Sequence, residues 1–409
     1  MSSDPLKPLR LVILGYYGFG NLGDDLILKS FVRQISELSD NLMKNVGRAV
    51  SLTVLSSEPS QTKECLAEFV SESFTLDAQQ RMSSTLVWKA LCQADAFVLG
   101  GGGLFQDDTS LRSVVYYAGV VAMARLARTP VWMWGQGLTP LNTPIARCLT
   151  AWSFRQAEGI ALRDAVSVSA AQQWCAASST SVKRMMDSVW SLPLPLSTLT
   201  SQSLRQDKNM LRLGVSLREW KDLTPERIEH LATVLVSGLM HRYKEQEDMP
   251  DIQFEGWVFQ QNEDEPVLTC FKNCLEKTWQ DLSAELTGSE VSFQSLKPLS
   301  WVWVKGTGNL FESISQCDAV VAMRFHALVL ALKARKPVLG LSYSAKVERL
   351  LAELESPVFG VHEIETLDAS VFSDWLSTQP NGNRIEEMEA LAGEDRDILR
   401  TWLIALAER

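Results

Sequence analysis

The sequence is poor in the features that would staple a chain, anchor it in a membrane or spread it over nucleic acid. Its seven cysteines (65, 92, 148, 175, 270, 274 and 317) are scattered, odd in number and never spaced C-x-x-C. That excludes a disulfide framework and the common zinc spacings, and it fits a reducing cytoplasm. No metal-ligand cluster, low-complexity segment or short repeat is visible, so neither a metal nor a cofactor is expected. The longest apolar stretch, Val114 to Ala127, contains Arg125 and falls short of the ~20 residues a spanning helix requires. The N-terminus, with Asp4, Pro5, Lys7, Pro8 and Arg10 close together, lacks the apolar core of a signal peptide. Basic side chains are in the minority, 39 against 49 acidic ones, for a net charge of −10. Broad contact with nucleic acid is excluded, because phosphate backbones need clustered Lys and Arg. A small anionic ligand is not excluded, since one pocket can be positive on an acidic protein. The expectation is a cytoplasmic protein with no transmembrane segment.

What is present is a long α/β pattern. At 409 residues the chain exceeds one ordinary core, which predicts two domains of roughly 200 residues. In the first, Leu9 to Leu14 reads as a strand that runs into a glycine-rich stretch, Gly15-Tyr16-Tyr17-Gly18-Phe19-Gly20-Asn21-Leu22-Gly23-Asp24-Asp25, and then a helix from about Leu26 to Leu38. Ser51 to Leu55 and Ala96 to Leu99 read as further strands, the latter followed by Gly100-Gly101-Gly102-Gly103-Leu104-Phe105-Gln106-Asp107-Asp108. Val131 to Trp134 runs into Gly135-Gln136-Gly137, and Ile160 to Leu162 is a candidate next strand. Three strands ending in glycine-rich loops gather on one edge of a parallel sheet, where a ligand or a neighbouring helix comes close to the backbone. The candidates there are Gly18, Asn21, Gly23, Gly101, Gly102 and Gly103, with Asp24 and Asp25. Those two acids also suit a helix's first turn, where the macrodipole favours negative charge. Gly18 to Gly23 matches G-x-G-x-x-G, yet the strand ends too early and no acidic residue follows the next strand at the dinucleotide interval.

The prolines and serines after Trp190 predict a first domain over 1–195 and a linker over 196–209, since paired prolines resist helix and sheet. A second doubly wound pattern fills 210–409. Leu211 to Leu217 reads as a strand with Arg218 at its end, then a helix from about Pro225 to Tyr243, a strand over Ile252 to Phe259, and an acidic loop from Gln260 to Pro266. Phe271 to Leu286 reads as a helix, Val291 to Phe293 as extended and Leu310 to Gln316 as a helix. Asp318 to Ala322 is a buried strand, and Met323-Arg324-Phe325-His326 then leads into a helix over Ala327 to Ala334, with a further strand from Val338 to Leu341. The tail, Ile385 to Ala407, is an amphipathic helix able to cross back onto the first domain. Ligands of open α/β sheets collect at the carboxyl ends of strands. A permanent cation and a side chain that titrates near neutral pH, two residues apart there, suit an acidic substrate and a proton transfer. If the strands before Arg218 and Arg324 are parallel neighbours, the two guanidiniums face one edge and suit a ligand with two anionic groups. Either alone also reads as a surface residue. Trp132, Trp134, Trp220 and Trp257 are sugar-stacking candidates, against the default that tryptophans fill cores.

Taken together, G-Y-Y-G-F-G-N-L-G-D-D at 15–25, G-G-G-G-L-F-Q-D at 100–107, G-V-S-L-R at 214–218 and A-M-R-F-H-A at 322–327 resemble the polysaccharide pyruvyl transferase family, most of all its bacterial CsaB-type members. The resemblance implies a GT-B-like α/β fold, two Rossmann-like doubly wound domains facing across a cleft. It also implies transfer of the enolpyruvyl unit of phosphoenolpyruvate to two hydroxyls of a sugar as a cyclic ketal. Phosphoenolpyruvate is then a substrate, gripped by Arg218, Arg324 and Phe325, with His326 as the catalytic histidine and Asp24 or Asp25 on the acceptor side. The acceptor is a glycan or lipid-linked saccharide of cell wall or exopolysaccharide, which places the enzyme at the inner face of the membrane. Three departures from the family's pattern stand out: Asp25 where Glu is usual, Phe325 where Leu is commoner, and Ser344-Ala345 where Asp-Pro often precedes Lys346-Val347. Two other readings fit the pattern: a GT-B glycosyltransferase with a nucleotide-sugar donor, and a non-catalytic sugar- or phosphate-binding module.

Overall fold

The computed structural model describes residues 7–107, 110–138, 141–178, 180–194, 209–243, 249–287 and 297–409. Asp108, the linker residues 196–208 and the extended stretch expected at 291–293 lie outside them. The chain divides into two compact units, Met1–Leu192 with Met388–Arg409, and Pro193–Glu387.

Unit 1 is built on a parallel sheet of β1 (Leu9–Leu14), β2 (Val50–Ser56), β3 (Phe74–Gln80), β4 (Ala96–Leu99), β5 (Val131–Gln136), β6 (Ala157–Leu162) and β7 (Ser181–Arg184), in the order β3-β2-β1-β4-β5-β6-β7. The central strands are apolar on both faces because helices cover both, as parallel sheets require. Ile13, Phe31, Val54 and Trp134 belong to one buried cluster, and Leu14, Phe97, Met133 and Phe154 to the other. The end of the last helix (Gly382–Ala407) supplies Leu399 and Leu403 to the first cluster. Its Trp402 ring lies 5.2 Å from that of Trp132, over Gly159, where any Cβ would stand 2.6 Å from the indole. The helix expected over Leu26 to Leu38 runs from Leu22 to Val46. Asn21 starts it, its side-chain oxygen accepting the Gly23 N–H at 3.0 Å, and Gly47 at φ 72° ends it.

Unit 2 repeats the plan. β8 (Met210–Ser216), β9 (Asp251–Val258), β10 (Ser300–Lys305), β11 (Ala319–Ala322), β12 (Val338–Ser342) and β13 (Val358–Gly360) pair in the order β10-β9-β8-β11-β12-β13. In both sheets the order reverses beside the first strand, the switch point at which ligands of such sheets bind. One expectation is corrected here. Gln260 to Pro266 is not a loop: a helix starts at Gln261 and runs to Thr287, with Pro266 inside its second turn. Proline is tolerated near a helix start, where few intrahelical bonds are lost. Asp264 anchors the entry, its Oδ2 accepting the N–H groups of Phe259 (2.8 Å) and Gln260 (2.9 Å).

Candidate active site

In unit 2, β8 and β11 are parallel neighbours with Val215 opposite Val321 and Ser216 opposite Ala322. The Met323 N–H continues the ladder onto the Ser216 carbonyl at 2.7 Å. Two residues past each strand's end, Arg218 and Arg324 therefore occupy matching positions on the carboxyl edge. Both reach one carboxylate oxygen: Glu263 Oε2 lies 2.6 Å from Arg218 Nη2 and 3.0 Å from Arg324 Nη2. Arg324 also grips Asp264 Oδ1 through Nε at 3.1 Å and Nη2 at 2.5 Å. Asp264 is fully buried and Arg324 is 7% exposed, so this is an interior ion pair with its remaining lone pairs satisfied. Burial works against charge on Arg324, but Asp264 and then Glu263 outweigh it and raise its pKa above the ordinary value.

Around the arginines stands an aromatic wall. The Arg218 guanidinium lies 5.2 Å from the Tyr343 ring and 5.8 Å from that of Trp220, and those rings are 4.9 Å apart. Burial would raise the Tyr343 phenol, yet Lys346, Arg218 and Arg324 together bring it below its usual pKa. Arg324 is the N-cap of the helix Phe325–Lys333, so that helix begins two residues earlier than expected and His326 stands in its first turn. The half-buried Phe325 and His326 rings meet edge to face at 5.4 Å, and Lys346 Nζ lies 5.7 Å from the Phe325 ring. Glu263, Asp264, Tyr343 and Lys346 were not among the residues singled out from sequence; an acidic pair at a helix start was the available signal for the first two.

In unit 1 the carboxyl edge is made differently. Gly15 and Gly100 make room for Tyr17, whose ring and hydroxyl respectively would collide with a Cβ at those positions. Gly101 lets Ile27 of the first helix approach, and Gly102, at φ +105°, faces Asp24, whose Oδ1 would be 2.8 Å from a Cβ. Gly103 sits against Gln106. Gly18, at φ +75°, lies on the backbone of Ser57 and Glu58. The close approaches at these glycines are thus made by the protein's own side chains and backbone. Gly23 is buried in the first helix's opening turn, and Asn21 is engaged as its cap. Asp25 accepts the Gly18 N–H, but burial dominates and pushes its carboxyl up to about 6. Tyr17 is fully buried, and burial first, then the Asp24 charge, lifts its phenol well above the usual range. Arg81, just past β3, is a further cation on this edge that the sequence did not reveal. It is 4% exposed, donates to the Gly15 carbonyl at 2.5 Å and lies 4.9 Å from the Phe19 ring and 4.8 Å from the Tyr116 ring.

Of the tryptophans considered for sugar stacking, Trp132, Trp134 and Trp257 are core residues, and Trp220 alone of the four stands beside the arginines. Among the described residues no cluster of His, Cys, Asp and Glu is arranged to hold a metal, and no helix is long and apolar enough to cross a membrane.

Two Rossmann-like units of this kind define the α/β GT-B class. The fold is similar over 98% of the chain to UDP-GlcNAc 2-epimerase from Neisseria meningitidis bound to UDP-GlcNAc (100% of that chain, TM-score 0.56, 13% identity). It is similar over the same share to HepE from Anabaena in complex with UDP and glucose (100% of that chain, TM-score 0.52, 11% identity). UDP-GlcNAc 2-epimerase from Methanocaldococcus jannaschii is similar over 93% of this chain and 94% of its own (TM-score 0.53, 12% identity). At such identities the likeness establishes the fold. No curated protein sequence matches significantly. The family model for polysaccharide pyruvyl transferase matches residues 21–281 and 306–345, and the chain belongs to that family.

Proposed function

We propose that the protein transfers the enolpyruvyl unit of phosphoenolpyruvate to two hydroxyls of a saccharide, as a cyclic ketal with release of phosphate, in cell-wall or exopolysaccharide synthesis. The observation that carries this reading is the placing of Arg218 and Arg324 in matching register with both guanidiniums on one carboxylate oxygen. A pair that converges on one anion suits a small ligand bearing a carboxylate and a phosphate, each taken by a planar fork.

The chemistry then has four steps. A proton is added to the donor's methylene carbon, leaving an oxocarbenium-like centre at the carbon that bears the phosphate oxygen. A sugar hydroxyl attacks that centre and loses its proton. Phosphate departs with the C–O bonding pair, and a second hydroxyl closes the ring and loses its proton. His326 is assigned the first proton as general acid and a later one as base, a role worth roughly 10²–10⁴ in rate. The guanidiniums stabilise charge as it develops on phosphate. Asp24 and Asp25 are assigned to the acceptor hydroxyls. A carboxyl lifted to about 6 has the basicity to take a proton near neutral pH. A lipid-linked acceptor would put the enzyme to work at the inner membrane face.

Incubation with phosphoenolpyruvate and a panel of glycans, read by mass spectrometry for a pyruvate adduct and by phosphate release, is the direct test. Turnover that survives His326→Ala or Asp24→Asn removes that residue from the mechanism. The second reading, a nucleotide-sugar donor, draws on the UDP and UDP-GlcNAc held by two proteins of similar fold. Binding of a UDP-sugar with no response to phosphoenolpyruvate would favour it.

A further inference from the structure

Glu263 occupies the point where the two arginines converge, and the two carboxylates of the ion-pair network, Glu263 and Asp264, differ sharply in freedom. Asp264 is fully buried, with one oxygen on Arg324 and the other on two backbone N–H groups, so it cannot leave. The Glu263 side chain is 30% exposed and belongs to the opening turn of its helix. Its backbone is fixed, since its carbonyl accepts the Glu219 N–H at 3.0 Å, but its carboxylate can rotate into water. With Glu263 in place, two guanidiniums face two carboxylates and the cluster is neutral. With Glu263 turned out, one positive charge is uncovered.

Resting on the reading that Arg218 and Arg324 grip the donor, we propose that Glu263 is a displaceable counter-ion that reserves this subsite for doubly anionic ligands. A monoanion exchanges with Glu263 charge for charge. It also loses its own translational freedom, which a side chain already tethered there does not. A dianion brings one charge more than the carboxylate it evicts, and that surplus is the selectivity. Eviction costs every anion the same, so the built-in competitor sets a threshold that a monoanion fails and a dianion clears through its own attraction to the site.

The test is calorimetric titration of the full-chain wild type, Glu263→Gln, Glu263→Asp and Arg324→Lys with phosphoenolpyruvate, inorganic phosphate and lactate, a monoanion of similar size. Loss of the competing charge in Glu263→Gln should tighten phosphoenolpyruvate about tenfold. It should tighten lactate by the same factor and so bring it into the measurable range, with Glu263→Asp between the two. Weaker or unchanged binding of all three anions by Glu263→Gln overturns the proposal. If phosphoenolpyruvate binding is then still lost in Arg324→Lys, the donor assignment survives and only the gate fails. If phosphoenolpyruvate binds no form while phosphate binds Glu263→Gln more tightly than wild type, the gate stands and the donor assignment fails.

Discussion

The two sheets share a strand order about the switch point, β2-β1-β4-β5 in unit 1 and β9-β8-β11-β12 in unit 2, yet their carboxyl edges are chemically unlike. In unit 1 the edge is closed by glycines, a buried phenol and two carboxylates at a helix start, with Arg81 donating to a backbone carbonyl. In unit 2 the edge projects two guanidiniums in register and balances them with two carboxylates. The topology sets where a site is made, and the side chains at four or five positions decide what it takes. Unit 2 sets guanidiniums against carboxylates at its edge, and unit 1 buries a carboxyl and a phenol whose pKa values burial raises.

The largest effect expected from breaking this contrast is at Asp264. Asp264→Ala leaves Arg324 buried without its fixed partner and strips two backbone N–H groups of their acceptor, a loss of about 3–5 kcal/mol. Glu263→Ala removes a half-exposed partner and should cost under about 1 kcal/mol. Chemical denaturation of both variants measures the difference; equal losses would erase the distinction between a fixed and a displaceable counter-ion. Next comes Arg324→Lys, which keeps the charge and loses the planar fork. A fall of about 100-fold in kcat/KM, roughly 2.7 kcal/mol of transition-state stabilisation, is expected in the phosphoenolpyruvate assay. An unchanged kcat/KM would show that a point charge suffices there.

The glycines of unit 1 give a smaller and more local test. Gly18 and Gly20 both have positive φ, +75° and +70°. A Cβ at Gly18 would stand 2.6 Å from the Glu58 backbone nitrogen, whereas one at Gly20 meets nothing within 4 Å. Gly18→Ala should cost about 2–3 kcal/mol and Gly20→Ala about 1 kcal/mol, as read from thermal unfolding. Similar values would mean that backbone conformation alone, and not packing of the first loop on the second, selects glycine here.

Sequence reading succeeded where burial leaves a signature and failed where it does not. The central strands β1, β2, β4, β5, β8, β9, β11 and β12 are apolar runs with punctuated ends, and Arg218 and Arg324 could be placed because each follows such a run. The strands that escaped notice, β3, β7, β10 and β13, are the outer strands of the two sheets. Ser181–Arg184 and Ser300–Lys305 are mostly exposed, so their residues carry little of the alternation that marks a half-buried strand. Missing β3 hid Arg81, which directly follows it. Reading Gln260 to Pro266 as an acidic loop hid Glu263 and Asp264, whose roles depend on a helix start and on partners some 60 residues away. Loop glycines were legible as places of close approach, but which atoms approach is a tertiary fact.

The contrast also predicts how the two units answer to pH. Asp395, on the stretch of the last helix that belongs to unit 1, is 6% exposed, and its Oδ2 accepts the Met186 N–H at 2.8 Å. Burial, aided by Glu394, lifts its carboxyl to about 7 against the pull of that N–H, as burial lifts Asp25 to about 6. In the unfolded chain both groups titrate near ~4. Between those values the folded form binds more protons than the unfolded one. Stability therefore falls as pH rises from about 4 to about 7, by at most about 1.4 kcal/mol per pH unit for each group. Arg324 behaves oppositely: its pKa is raised, so its stabilisation is complete below the ordinary arginine value and is lost only above it, while its partner Asp264, raised by burial against the pull of Arg324, adds to the fall in the same direction as Asp25 and Asp395. Asp395→Asn retains an acceptor for the Met186 N–H and removes the buried charge. It should flatten the slope and gain stability at about pH 8 while changing little at about pH 4, as denaturation midpoints at the two values would show. A variant that kept the wild-type slope would move the pH response away from the helix that returns to unit 1 and onto Asp25 and Asp264.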